Sequence, residues 1–164
     1  MLLIGQAAGG VIINAPLNGL LAWLMFPPVP SLPIWAKGNC IAGDTIGTSF
    51  FLPLITCLIL TALTRRALRS GAMPGLPLAS VPRALRWLPA NMAGRGALVG
   101  LACALTVALI TLFSISGAGV EGMTRGEVAL FKAVYTGLLG GAVSPLFGLR
   151  ALADVAPAGA VERG

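Results

Sequence analysis

Residues 41–63 read IAGDTIGTSFFLPLITCLILTAL, and Thr64, Arg65 and Arg66 follow them. An apolar helix of about 20 residues is long enough to cross a hydrocarbon core of about 30 Å. This stretch has that length and holds a single charged residue, Asp44, before the two arginines end it. It therefore predicts a transmembrane helix that ends at a basic membrane surface.

Three similar runs occupy nearly half of the remaining chain, at residues 2–26, 97–116 and 128–149. The full chain of 164 residues is 57% hydrophobic and only 10% charged, whereas soluble domains carry about 25% charged residues. The runs are continuous rather than alternating with period two, which favours helices over a barrel. We expect an all-α integral membrane protein, a bundle of four transmembrane helices in one domain over residues 1–150, with a short tail at 151–164.

The loops between the runs predict the orientation. Residues 64–95 form a basic loop with six arginines and no acidic residue, whereas residues 27–40 hold only Lys37 among charged residues. Short loops rich in lysine and arginine stay in the cytoplasm. With four spans, both termini then face the cytoplasm. The alternation of IAGDT, FFLPL and TRRAL is similar to small bacterial inner-membrane proteins, so we expect a multi-pass protein of that membrane.

Several functional classes are excluded by composition. The formal charge of +6 arises mostly from the basic loop between apolar runs, a pattern of membrane orientation rather than of nucleic-acid binding. The chain has no histidine and five acidic residues, and it lacks the common nucleophile, phosphate-loop and dinucleotide motifs. We expect no enzyme activity, no metal, no cofactor and no nucleic-acid partner.

Small residues spaced four apart recur in every predicted span. Such pairs let helices approach closely in lipid, where little hydrophobic force drives helix association. We expect them to pack the bundle and, on some faces, to hold a homo-oligomer or a larger membrane complex together. The main helix-packing candidates are Gly43, Gly47, Gly96, Gly100, Gly137 and Gly141, and Gly5 with Gly9 forms a further pair.

Two charged residues lie inside predicted spans, where a charge costs about 2.5–3.5 kcal/mol on insertion scales. Asp44 and Lys132 each lie about one turn from the outer interface. They can pair and so lock the second span to the fourth. Alternatively, Asp44 titrates in a proton or cation site and Lys132 competes for it.

Other polar residues extend this candidate site. Asn14 and Asn18 share one face of the first span on either side of Pro16, and Thr48 and Tyr135 lie about one turn beyond Asp44 and Lys132. We expect the amides to bond to a neighbouring helix, as polar groups in membranes commonly do. The alternative is a helix distorted at proline that lines a polar path.

The basic loop has two interpretations. Each arginine near an anionic leaflet contributes about 1 kcal/mol of attraction, so the cluster can bind the head groups of anionic phospholipids. Alternatively, it sets orientation and binds no ligand. The candidate head-group residues are Arg65, Arg66, Arg69, Arg83 and Arg86.

The whole pattern leaves two functions open. The first is a non-catalytic membrane subunit that oligomerises or docks onto a larger complex through its small-residue faces. The second is a small oligomeric transporter or channel for an ion or small solute, using the polar residues of spans one, two and four. The motif RAL recurs at the ends of spans two and four, which permits two similar helical hairpins related by an axis along the membrane normal.

Overall fold

The computed structural model describes residues 2–38 and 40–154. The elements in chain order are α1 (Leu2–Met25), β1 (Leu32–Pro33), α2 (Ile41–Arg69), a 3₁₀ turn (Leu78–Ser80), α3 (Arg83–Arg86), α4 (Met92–Cys103), a π-helical segment (Ala104–Ala108), α5 (Leu109–Gly117), β2 (Gly122–Met123) and α6 (Arg125–Leu152). Helix α4, the π segment and α5 run on without a break as the third long helix, Met92–Gly117.

Four helices are long and apolar enough to cross a membrane, so the expected mostly helical fold with four apolar helices of spanning length is confirmed. Several helices extend beyond the apolar runs. The third long helix begins at Met92, and Asn91 caps it by accepting a hydrogen bond from the Ala93 amide with its side chain. Helix α6 begins at Arg125 after a capping box formed by Thr124 and Glu127. Capping residues stabilise the first turn independently of the apolar run, which moves these boundaries outward.

The helices pack in the spatial order α1, α6, α2 and third long helix. Helix α1 packs along α6, and α2 contacts both α6 and the third long helix. Among the described residues, α1 and α2 share no comparable contact. Consecutive helices along the chain are therefore not the main packing partners, and a groove runs between α1 and α2 in front of α6.

The two ends of the bundle differ. At one end, β1 and β2 pair antiparallel, with Leu32 opposite Met123, and we call this the ribbon end. Apolar side chains beneath it form a core cluster that includes Phe26, Ile34, Ile41, Leu112 and Val128. The opposite end carries the loop between α2 and the third long helix, and we call it the arginine end.

The chain beyond the fourth apolar run is packed rather than free where the structure describes it. Helix α6 continues to Leu152, and the side chains of Ala151 and Leu152 are buried. The Leu152 carbonyl accepts a hydrogen bond of 3.0 Å from the Leu76 amide. A tail can thus begin only after Asp154, and the rest of the expected tail, residues 155–164, lies outside the described residues.

Candidate functional site

The groove between α1 and α2 gathers most of the polar residues that the sequence singles out. A cavity of about 410 Å³ is lined by Asn14, Asn18, Asp44, Thr48 and Gly47, among others. Toward the arginine end it meets a cavity of about 390 Å³, which shares Asn14 and also contacts Gln6. Toward the ribbon end, Asp44 also lines a third cavity of about 260 Å³. The groove therefore extends along most of α1.

Asp44 and Lys132 form an ion pair between α2 and α6. The Lys132 Nζ lies 2.6 Å from Oδ2 of Asp44 and donates a hydrogen bond to the Thr48 hydroxyl. The Lys132 side chain is 3% exposed, whereas that of Asp44 is 30% exposed and borders the groove. Pairing removes the net charge from the interior, and the carboxylate keeps an open side toward the groove.

The two asparagines bond differently from the expectation. The Asn14 amide nitrogen donates to the Gly10 carbonyl at 2.7 Å, and that of Asn18 donates to the Asn14 carbonyl at 3.0 Å. Both amides thus bond back to their own helix rather than across to another one. The contact with α6 comes instead from Thr136, whose hydroxyl lies 2.7 Å from the Lys132 carbonyl of its own helix and 3.1 Å from the Asn14 carbonyl, so one proton is shared between the two acceptors.

Tyr135 lies apart from the groove. Its hydroxyl is 2.7 Å from the Ser49 hydroxyl, which itself donates to the Thr45 carbonyl. Its ring stacks on Phe131 at 5.6 Å and belongs to a core cluster with Cys103. The residue joins α6 to α2 on the side that faces the third long helix, so it does not line the cavity with Asn14 and Asp44.

The small-residue faces divide into used and unused sets. A Cβ atom added at Gly100 would collide with the Phe50 carbonyl, and one at Gly96 would meet Leu54 at 3.0 Å. Gly137 and Gly141 likewise face α1, close to Ala15 and Val11. These four glycines therefore lie in helix–helix contacts within the chain and are not available to a partner. By contrast, a Cβ added at Gly5, Gly9 or Gly47 would meet no atom of another element within 4 Å, and one added at Gly43 would meet only the Cys40 sulfur, in the cap of its own helix.

The arginine end contains an ion cluster centred on one carboxylate. Asp154 lies within ion-pair distance of Arg65 (2.8 Å), Arg95 (2.9 Å) and Arg150, and its side chain is 3% exposed. Arg95 is fully buried, and its Nε also donates to the Pro89 carbonyl at 3.1 Å. One carboxylate thus joins the ends of α2, α6 and the third long helix.

The five arginines proposed for lipid head groups do not form one site. Arg65, Arg66 and Arg69 line a common cavity at the end of α2. Arg86 instead donates hydrogen bonds of 2.7 Å to the carbonyls of Val81 and Ala79, so its guanidinium holds the loop. Arg83 is exposed in α3 and is not among the residues that line this cavity.

Sequence reasoning missed Asp154, Arg95 and Thr136. The spacing of Arg150 and Asp154, four residues apart on one helical turn, is a recognised ion-pair signal and was available in the sequence. Arg95 carries no comparable signal, because the sequence places it at the end of the basic loop predicted over residues 64–95. Thr136 is one of many serine and threonine residues in the long helices, and their hydroxyls usually bond to their own helix. The sequence therefore does not single it out.

Within residues 2–38 and 40–154, no group of three or more His, Cys, Asp or Glu side chains is placed to hold a metal ion. No protein-family model matches the chain. No curated protein and no solved structure matches it either.

Proposed function

We propose that this chain is a non-catalytic membrane subunit that receives a transmembrane helix of another chain in the groove between α1 and α2. The observation that carries the proposal is the groove itself, which is lined on both sides by small residues with nothing packed on them. Gly5 and Gly9 border it from α1, and Gly47 borders it from α2.

The physical argument rests on what holds helices together in lipid. Close backbone approach at small residues and interhelical hydrogen bonds supply most of the association energy. The groove offers both, since small residues line it and the Asp44 carboxylate is partly open toward it. A partner helix with a small-residue face and a donor at the level of Asp44 satisfies both requirements.

Filling the groove tests this proposal. The double variant Gly9→Leu/Gly47→Leu places two bulky side chains in it, and Gly117→Leu is the matched control, because Gly117 also has open space around it but lies in the third long helix. Native mass spectrometry after gentle solubilisation should find the wild-type chain in an assembly heavier than its own 16.6 kDa. The double variant should release the monomer, and the control should keep the assembly. A monomeric wild type, or an assembly that survives the double variant, contradicts the proposal.

A second candidate is a small oligomeric transporter or channel. It is supported by one observation, that Asn14, Asn18, Asp44 and Thr48 line a single cavity. Four spans rarely enclose a path on their own, so this function needs a closed homo-oligomer. In proteoliposomes with an entrapped pH-sensitive dye, it predicts proton flux that Asp44→Asn abolishes and that Glu121→Gln, at the exposed ribbon end, leaves intact. A heterologous partner with no flux favours the subunit instead.

We infer a bacterial inner-membrane location with the arginine end and both termini in the cytoplasm. The support is the basic composition of that end and the even number of long helices. The same frame supports two similar hairpins, α1 with α2 and the third long helix with α6. In such a repeat the contact between α1 and α6 is equivalent to the contact between the third long helix and α2, and both contacts are present. The repeat also pairs the corresponding strands β1 and β2 antiparallel. Finally, Arg66 lies 25 residues after Ile41, and Arg150 lies 25 residues after Arg125.

A further inference from the structure

A cavity of about 570 Å³ lies at the end of α2, away from the groove. It is lined by the three arginines Arg65, Arg66 and Arg69, by Ser70, and by the apolar side chains of Ala62 and Met92. The cavity thus combines a cationic wall with an apolar wall at the level where the helix leaves its apolar run.

The charge around this cavity is unbalanced. Among the described residues, the carboxylates other than Asp154 belong to Asp44, Glu121 and Glu127, all toward the ribbon end. Asp154 is already shared by Arg65, Arg95 and Arg150. Arg66 and Arg69 are exposed and have no carboxylate within 4.0 Å in the part of the chain that the structure describes. These two guanidinium groups therefore keep their donors available to an anion from outside this part of the chain.

Arg65 gives the wall a fixed element. Its Nη2 bonds to Asp154 at 2.8 Å and to the Ala90 carbonyl at 3.4 Å, which holds the guanidinium plane in place. A guanidinium presents a rigid fork of donors that matches phosphate oxygens. Cations also favour the last turn of any helix because of its free carbonyls, but that preference does not require three guanidinium groups around one cavity.

We propose that this cavity binds a phosphate group, with Arg66 and Arg69 neutralising it, Arg65 orienting it, and Ala62 and Met92 contacting an apolar portion of the same ligand. This assignment goes beyond the docking function and does not depend on it. It also separates Arg65, Arg66 and Arg69 from Arg83 and Arg86. The phosphate can come from an anionic lipid head group or from a soluble phosphate ester, and the experiment distinguishes these sources.

The experiment compares two double variants that each remove two positive charges. Arg66→Gln/Arg69→Gln empties the cavity of its exposed cations, and Lys37→Gln/Arg83→Gln is the control, because both of its residues are exposed and absent from the lining. Purified protein is titrated with phosphatidylglycerol, with phosphatidylcholine and with glycerol 1-phosphate, and bound molecules are counted by native mass spectrometry. The cavity variant should bind phosphatidylglycerol about 30-fold more weakly than wild type, and the control should be within about threefold of it.

Each outcome decides the proposal. If the wild-type protein binds phosphatidylglycerol but not glycerol 1-phosphate, the phosphate belongs to a lipid head group. If it binds both equally well, the ligand is a soluble phosphate ester. Equal losses in the two double variants, or no preference of the wild type for phosphatidylglycerol over phosphatidylcholine together with no binding of glycerol 1-phosphate, overturn the phosphate site. Thermal unfolding of the cavity variant should match wild type, since both substituted side chains are exposed, so a binding loss is not a folding loss.

Discussion

Asp154 lies at the end of the described chain but forms ion pairs with residues of three helix ends. It is the carboxylate on which Arg65, Arg95 and Arg150 converge, and Arg95 has no exposed surface at all. Removing one partner of a buried ion pair leaves an uncompensated charge, which costs about 3–5 kcal/mol. The cluster therefore holds three helix ends together only while the carboxylate is present.

The substitution Asp154→Asn should lower the free energy of unfolding by about 3 kcal/mol or more. Thermal unfolding in detergent measures the effect, with Glu121→Gln as the control because that carboxylate is exposed and forms no ion pair among the described residues. Equal melting temperatures for the two variants would show that the cluster contributes nothing.

The sequence predicts one of the two ion clusters and misses the other. Asp44 and Lys132 stand out because a charge inside an apolar run is costly, and the cost itself predicts a partner. Asp154 lies just after the last apolar run, where a charge has no such cost, so its burial depends on tertiary contacts that composition does not encode. The roles of Asn14 and Asn18 also depend on rotamers, which spacing alone does not determine.

At the scale of elements, α1 and α6 approach each other through glycine. A Cβ added at Gly10 would lie 2.5 Å from the Gly140 carbonyl oxygen and 2.6 Å from the Ser144 hydroxyl. A Cβ added at the neighbouring Gly9 would meet no atom of another element within 4 Å. Two adjacent glycines in one helix thus have opposite environments.

This contrast predicts opposite effects of the same substitution. Gly10→Ala should destabilise the isolated chain by about 1–3 kcal/mol, because overpacking at a close backbone contact forces the helices apart. Gly9→Ala should leave stability unchanged or raise it slightly, since alanine favours a helix over glycine. Unfolding of both variants in detergent is the measurement, and equal destabilisation by the two substitutions would refute the assigned packing face.

The extent of each long helix was only partly predictable. Apolar runs predict where a helix meets hydrocarbon, but caps at Asn91 and Thr124 and the arginines at the end of α2 extend the helices past that limit. The third long helix is π-helical over Ala104–Ala108, a segment that contains neither proline nor glycine. Nothing in the composition of that segment predicts it.

For the molecule as a whole, the sequence predicts four helices but not which of them pack together. Hydropathy identifies a membrane-spanning segment, whereas pairing depends on which glycine faces meet, and every span carries a candidate face. The glycines of α6 pack on α1 and those of the third long helix pack on α2, which leaves the groove between α1 and α2 open. That open groove is the basis of the proposed docking function.

Docking of a partner helix requires that the four long helices cross a bilayer, and the inferred orientation places the arginine end inside the cell. Alkaline phosphatase fused after residue 75 and after residue 119 tests this directly, because the enzyme is active only when it is exported. The fusion after residue 119 should be active and the fusion after residue 75 inactive. Activity after residue 75 would contradict the orientation, and recovery of the unfused protein from a cell lysate without detergent would contradict membrane insertion itself.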